Sequence, residues 1–366
     1  MGDDKAPVEI NAGQVHLRPF RPADAEAVSR ICQDPDIARW TSVPAPYTPE
    51  HGRDFVQKVS AGWAHGTSYV WAVCDSQTGA LAASIGLHLD RSADPDMAEL
   101  GYWCAAEARG RGVMTTAARA ACRWGFSALG LRRINWLAEI GNEASWRVAH
   151  QVGFHFEGRQ RGRLARNEVA VDAWGGGLLA GEVADTRAPL AFGPDPVLTD
   201  EPVTIRRWRE PDVPAYQELH NDPSVIRWAG RAAGRTVDAE RAWREVCVVG
   251  VEDWLTGACA YLAICVDDVP VGDLSIRRIH ERLASFGWSL QPAARGRGIA
   301  TRAVRRALDW GDSQGFSRLE ARVHAENRTS QALAERAGFR REGFLASDSP
   351  AGDSWGDSIL YGWTRA

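Results

Sequence analysis

Met114, Ala117, Ala118, Ala121 and Cys122 recur at helical spacing, and Ala300, Ala303, Val304, Ala307 and Leu308 repeat the same stripe 186 positions later. An apolar face of period 3.6 predicts an amphipathic helix, and its recurrence predicts the same helix twice. The surrounding pattern is duplicated too. Two β-rich runs precede the helix in each half: Tyr69 to Val73 with Ala82 to Leu89, and Tyr261 to Val266 with Val271 to Ile276. A further strand follows it (Arg133 to Ala138; Leu319 to Val323). Then comes a helix opened by Asn142 or Asn327, good N-cap residues, and closed by Gly153 or Gly338, which suit the position after a helix. A mixed, mostly antiparallel sheet flanked by helices fits this order in each half, an α/β class.

The register drifts slowly. Val15-His16-Leu17-Arg18-Pro19 matches Val203-Thr204-Ile205-Arg206-Arg207 at an offset of 188, and Asp34-Pro35 matches Asp222-Pro223 at the same offset. Asn142 and Asn327 are 185 apart, and so are Asp172 and Asp357. Such drift records loop insertions between two diverged copies, and so long a period is a domain duplication rather than a solenoid. The Pro-, Gly- and Asp-rich stretch between them reads as a linker. The expected organisation is a first domain over 1–181, a linker over 182–199 and a second domain over 200–366.

A chain of 366 residues suits two such domains. The net charge of −4 gives no reason to expect nucleic acid or an anionic membrane as a partner. Seven cysteines, an odd number without a Cys-x-x-Cys, argue against a disulfide framework and against zinc, so no metal is expected. The 16 tryptophans are scattered, which favours packing over a stacking array. No apolar run reaches membrane-spanning length and the start lacks signal-peptide shape, so a cytoplasmic location is expected.

The chemistry concentrates in Arg109-Gly110-Arg111-Gly112-Val113-Met114 and its copy Arg295-Gly296-Arg297-Gly298-Ile299-Ala300, each between a strand and the striped helix. Glycines let the backbone turn its N–H groups inward, and the helix N-terminus adds partial positive charge, which together make a cradle for a pyrophosphate. The arginines are expected to add charge-assisted hydrogen bonds. The loop is neither a Walker loop nor a dinucleotide fingerprint.

With Leu17-Arg18-Pro19, the Asp-Pro pairs, Glu99-Leu100-Gly101-Tyr102-Trp103, Asn142-x-x-Ser145 and Gly153-Phe154 with Gly158 in order around that loop, the chain resembles the GNAT acetyltransferases. Within them it is similar to the RimJ/RimL type, which acetylates protein N-termini, over nearly all of both halves. The resemblance implies two GNAT-type domains, each with a splayed sheet whose strand before the loop is bulged. It implies acetyl-CoA as cosubstrate, with the pantetheine arm beside Tyr102, Trp103 and Cys104, or Trp288, Ser289 and Leu290. Asn142 and Asn327 would bond the pantetheine, and Ser145 and Ser330 would protonate the leaving thiolate.

Acetylating an amine requires its neutral form. At pH 7 about a tenth of an α-amine is neutral, so one carboxylate suffices as base. Glu99 stands on the strand that presents the thioester and is the candidate, an edge-strand surface residue being the plain alternative. The second copy has Ser285 there, with His280 and Glu281 nearby. Asp90, Asp94, Asp96 and Glu99 in one copy, and Arg277, Arg278, His280 and Arg282 in the other, suggest different acceptor charges if they border the acceptor. The leading expectation is an acetyl-CoA-dependent N-acetyltransferase acting on a protein or peptide N-terminus or a small amine, with the first copy the likelier catalyst. An acyl-CoA sensor or scaffold without turnover is the competing class.

Overall fold

A computed structural model describes residues 7–89, 94–166, 169–186, 192–228, 236–351 and 354–365. The chain divides into two compact units, residues 1–188 and 189–366. Each contains an eight-stranded sheet.

In the first unit, β1 (Ile10–Ala12) and β2 (Val15–Pro19) lead into α1 (Ala25–Ile31), α2 (Pro35–Trp40) and α3 (Pro49–His65). Next come β3 (Ser68–Asp75), β4 (Leu81–His88), β5 (Met97–Cys104), α4 (Val113–Leu129), β6 (Arg133–Glu139), α5 (Glu143–Val152), β7 (His155–Arg166) and β8 (Val169–Leu178). The order across the sheet is β1-β2-β3-β4-β5-β6-β8-β7. Every pairing is antiparallel except β5 with β6, because α4 carries the chain back over the sheet between them. The stripe on α4 is buried as expected, with Ala117, Ala118, Ala121 and Cys122 wholly inaccessible. Gly125 on the same helix lies against Leu87 and Ile134, which leaves no room for a side chain. Trp63, Trp71 and Trp124 meet edge-on or tilted at about 5–6 Å, so these tryptophans are packing residues.

The second unit repeats the plan. It runs β9 (Val197–Asp200), β10 (Val203–Arg207), α6 (Val213–Asn221), α7 (Pro223–Ile226), α8 (Ala239–Arg244) and α9 (Gly250–Thr256). It continues with β11 (Cys259–Val266), β12 (Val269–His280), β13 (Leu283–Leu290), α10 (Ile299–Ser313), β14 (Arg318–His324), α11 (Arg328–Ala337), β15 (Arg340–Ala351) and β16 (Ser354–Trp363). A π-helical turn, Glu245–Val249, joins α8 to α9. The expected linker over 182–199 needs correction at its end, since Val197–Asp200 pairs antiparallel with β10 and belongs to the second sheet. Residues 187–191 of that stretch lie outside the described residues, as does Asp90.

Both sheets open at the same place. β5 and β6 pair from Met97 to Leu100 and then part, and β13 and β14 pair only from Leu283 to Ser285. The expected bulge in the strand before the loop is absent. β5 stays in register with β4 from Glu99 to Cys104, and β13 with β12 from Ser285 to Leu290. Irregularities fall on the neighbouring hairpins, where Val73 pairs Ala83 but Cys74 pairs Leu81, and Ile264 pairs Gly272 but Cys265 pairs Pro270, and on β12 between Arg278 and His280, opposite the start of β13. The opening is therefore made by divergence of two strands.

One ion pair is also duplicated. Arg18 meets Asp24 through two hydrogen bonds of 2.7 and 2.8 Å, and Arg206 meets Asp212 at 2.6 and 3.1 Å, with Arg206 only 3% exposed. Each carboxylate also accepts from a backbone N–H three residues upstream. Removing Asp212 leaves the buried Arg206 guanidinium with only the exposed Asp268, at 2.8 Å, as a charged partner. We expect Asp212→Ala to destabilise the second unit by about 1–3 kcal/mol. Hydrogen exchange at β10 to β12 under denaturant measures this, and unchanged protection there contradicts it.

Candidate functional site

The loop before α4 has the shape expected of an anion cradle. Gly110 and Gly112 stand at φ 71° and 75°, and Gly296 and Gly298 at 74° and 75°, in the left-handed region that side chains disfavour. The helices begin directly after Gly112 and Gly298 with no side-chain cap. The first-turn N–H groups of Val113 and Met114, and of Ile299 and Ala300, thus have no acceptor within the helix. Their side chains are buried, so their contribution to a phosphate is the backbone.

The arginines divide into two kinds. Arg111 is exposed with Asp75 at 3.7 Å, and Arg297 is exposed, so both guanidinium groups border the cradle. Arg109 is instead bound to Asp34 at 2.7 Å, Asp36 at 2.9 Å and the Cys104 carbonyl at 3.3 Å. Arg295 donates to the Leu290 carbonyl and to Ser224 Oγ. The backbone N–H of each closes the preceding turn. Arg109 and Arg295 therefore fix the loop to the strand and to α2 or α7, which corrects the expectation that they bind phosphate directly.

The opened strand can be read by alternation. Arg132 N–H donates to Asp96 O and Ala105 N–H to Ala82 O, so even-numbered residues of β5 direct their backbone groups toward β6 and odd-numbered ones toward β4. Past Leu100 this leaves the N–H groups of Tyr102 and Cys104 facing the opening. In the second unit Arg318 N–H to Arg282 O and Gln291 N–H to Val271 O give the same assignment to Trp288 and Leu290. Trp103 and Ser289 are corrected accordingly, since their backbone groups belong to the ladder. The Trp103 ring packs toward Phe55 of α3 at 6.3 Å.

Across the opening stands the first turn of α5. The Asn142 side chain accepts from Ser145 N–H at 3.0 Å and Asn327 from Ser330 N–H at 3.1 Å, so both are caps that keep their amide N–H₂ groups. The Ser145 hydroxyl receives Trp136 Nε1 at 2.9 Å and lies 2.9 Å from the Tyr102 hydroxyl, which also donates to the Ser145 carbonyl. Burial pushes the Tyr102 phenol up to about 12, so it stays protonated. In the second unit Trp288 Nε1 donates to Ser330 Oγ at 2.9 Å. An aromatic group on the opened strand thus holds the helix serine in both copies, a link that sequence spacing did not show.

On the other face of β5, Glu99 is half-buried and directly opposite His88 on β4. The His88 ring lies over Gly86 and Gly101, 3.2 Å from where a Cβ would stand on either. Burial raises the Glu99 carboxyl above the usual 4.5, with Arg163 pulling it partly back. Packing on the sheet and the charge of Lys58 lower the His88 imidazole below 6.5. Sequence reasoning missed His88, because only the strand register sets it against Glu99. Asp94 and Asp96 sit at the closed end of β5, where Asp94 pairs with Arg132 and its carbonyl accepts Met97 N–H. In the second unit His280 and Glu281 are exposed where the β12–β13 hairpin turns, far along the strand from the opening. Burial raises all seven cysteine thiols, Cys104 to about 11, which leaves them poor nucleophiles. Among the described residues no three His, Cys, Asp or Glu side chains are grouped to hold a metal ion, and no helix is long and apolar enough to cross a membrane.

Comparison with known proteins shows the family. The chain is similar to YdaF of Bacillus subtilis (strain 168), named as a candidate ribosomal N-acetyltransferase, at 40% identity over 95 residues. That match covers 26% of this chain and 51% of YdaF, so it spans about half the relative's length. YoaA of the same organism, named an uncharacterised N-acetyltransferase, is 28% identical over 163 residues, 44% of this chain and 92% of YoaA. RimJ of Mycobacterium smegmatis, solved in complex with CoA-disulfide, is 26% identical with a TM-score of 0.41, over 47% of this chain and 86% of that one. The sequence profile described as the acetyltransferase (GNAT) domain matches twice, at residues 14–155 and 203–340, and the chain belongs to the GNAT acetyltransferase family.

Proposed function

We propose that each half holds acetyl-CoA and that the N-terminal half transfers the acetyl group to a primary amine, on a protein or peptide N-terminus or a small molecule. The observation that carries this reading is the junction of three features in one place. These are a left-handed glycine cradle at a helix N-terminus, an opened strand with free backbone donors, and a titratable pair on the opposite face. The ribosomal reference in the name of YdaF favours a peptide N-terminus among the acceptors. A cytoplasmic location belongs to the same reading.

The pyrophosphate would rest on the N–H groups of residues 110–114, with Arg111 beside it; Gly296 to Ala300 and Arg297 are the counterparts. The amide groups of Asn142 and Asn327 face the pantetheine. A thioester supplies an activated acyl carbon. Its carbonyl oxygen would be held by the Tyr102 and Cys104 N–H groups, where developing negative charge gains most from fixed dipoles. Glu99 and His88 would take the proton from the incoming ammonium, and Ser145, held by Tyr102 and Trp136, would give one to the departing sulfur. Ser330 holds the same position in the second half.

Three outcomes test this reading. Gly112→Asp places a bulky like charge in the cradle at a φ that side chains disfavour, and Gly298→Asp does so in the second half. Calorimetry should show one CoA site lost in each, and two sites in either variant contradict the loop assignment. Glu99→Gln should lower kcat about ten- to a thousandfold with CoA affinity unchanged. A fully active Glu99→Gln chain would place turnover elsewhere. The third concerns pH. A base works only when deprotonated, and the Glu99 carboxyl is held above the usual 4.5, so the rate should fall with acid before pH 4.5 is reached. Corrected for the acceptor's own ionisation, a rate flat from pH 7 to 4.5 excludes Glu99 as the base.

A further inference from the structure

The face that carries Glu99 and His88 in the first unit is rebuilt in the second. Register aligns the positions row by row. Gly287 lies opposite Ser275 as Gly101 lies opposite Gly86, Ser285 opposite Arg277 as Glu99 opposite His88, and Ser289 opposite Asp273 as Trp103 opposite Ser84. The carboxylate and imidazole of the lower row are gone, and Arg277 leans on Tyr261 instead. A carboxylate appears two rows nearer the end of the opened strand, at Asp273.

Asp273 is not alone. Ser289 Oγ donates to its Oδ1, and His220, at the end of α6, brings Nε2 to 3.0 Å from its Oδ2. His220 is 8% exposed, and neither ring nitrogen makes an aligned hydrogen bond. A buried imidazole without good partners is costly unless something else supplies one. At the offset of 188 the first copy has Cys32, and register gives Ser84 and Trp103 for the other two members, so the trio belongs to the second unit alone. The Tyr216 ring lies tilted against His220 at 4.1 Å, and Tyr216 also lines a recess with Trp208, Tyr261, Val246, Glu245 and Arg207. The π-helical turn supplies Glu245 and Val246, in a distortion that recurs at functional sites.

We propose that His220, oriented by Asp273, is the general base of a second, independent acetyl-transfer centre, whose acceptor is a primary amine on an aromatic or apolar body. The inference rests on the reading that the C-terminal half holds acetyl-CoA. Nε2 stands 3.0 Å from Asp273 Oδ2 without alignment, and a turn of the ring as the acceptor enters lets Asp273 take the Nε2 proton and leaves Nδ1 as the basic nitrogen. Nδ1 takes a proton from the ammonium. The freed nitrogen lone pair forms the C–N bond, the C–S bond breaks with its electron pair going to sulfur, and the nitrogen's surplus proton ends on that sulfur. The products are the N-acetylamine, the CoA thiol and a proton that His220 releases to water.

The full-length chain carrying Gly112→Asp isolates this centre, with 2-phenylethylamine as acceptor and spermidine as the contrasting polycation. We expect one CoA site by calorimetry and continued acetylation, with 2-phenylethylamine preferred. Adding His220→Gln should lower kcat about ten- to a thousandfold, with Kd for CoA unchanged, and Asp273→Asn should act in the same direction. Added imidazole should restore part of the rate to His220→Ala, a response that a purely structural histidine does not give. If the remaining site binds CoA but 2-phenylethylamine is not acetylated, or His220→Gln is fully active, the second centre is refuted while the cofactor reading stands. If no CoA site remains in Gly112→Asp, both fall together.

Discussion

Backbone groups that a sheet leaves unpaired must find partners elsewhere, and this protein places that requirement at its reactive centre. β5 loses β6 after Leu100, and β13 loses β14 after Ser285. Beyond those points Tyr102, Cys104, Trp288 and Leu290 present backbone donors to a gap rather than to a strand. A few residues later the same strand ends in a glycine turn, and the first turn of a helix presents more N–H groups. On the proposed reading, thioester carbonyl and pyrophosphate would be met by one continuous line of main-chain donors. Because that line is made of backbone, it survives side-chain divergence, and both copies keep it with loop φ values that agree within a few degrees.

The faces on either side of this line change much more freely. On the side of α5 and α11 the partner of the helix serine alternates between Tyr102 and Trp288, two aromatic groups that hydrogen-bond the corresponding hydroxyl oxygen, Trp288 as the donor. On the opposite side Glu99 and His88 give way to Ser285 and Arg277, while Ser84, Trp103 and Cys32 give way to Asp273, Ser289 and His220. Duplication preserves what the cosubstrate needs and releases what the acceptor needs. A binding frame made of main chain makes such divergence inexpensive in stability.

The sequence carried the frame more clearly than the faces. Helical stripes on α4 and α10, the capping asparagines and the glycine loops are local patterns, so their residues were readable one segment at a time. Three features were not. The opening comes from divergence of two strands rather than a bulge, which no local pattern encodes. Arg109 and Arg295 looked like phosphate ligands because their neighbours are glycines, yet Asp34, Asp36 and Ser224 claim them from about 70 residues away. His88 and His220 gain meaning only from register and helix placement, which bring them to Glu99 and Asp273. The acidic stretch before β5 misled in the opposite sense, since Asp94 is engaged with Arg132 at the closed end of the strand.

The two arginines also connect the halves of each site. Arg109 joins the cradle to Asp34, the N-cap of α2, and Arg295 joins it to Ser224, whose hydroxyl is bound in turn to Asp222, the N-cap of α7. α2 and α7 lie in the segment between the first strands and β3 or β11, the segment that also supplies Phe55 and His220 to the acceptor faces. An anion entering the first cradle meets an Arg109 guanidinium already neutralised by Asp34 and Asp36, so its charge acts on Arg111 and leaves the clamp in place, whereas Arg295 is held only by neutral oxygens and keeps its charge. Cosubstrate binding then proceeds without unlocking the helices over the acceptor, and the acceptor face is preorganised before the amine arrives. The Asp-Pro pairs that mark both copies in the sequence are therefore structural anchors of the reactive geometry, set well apart from the chemistry they hold in position.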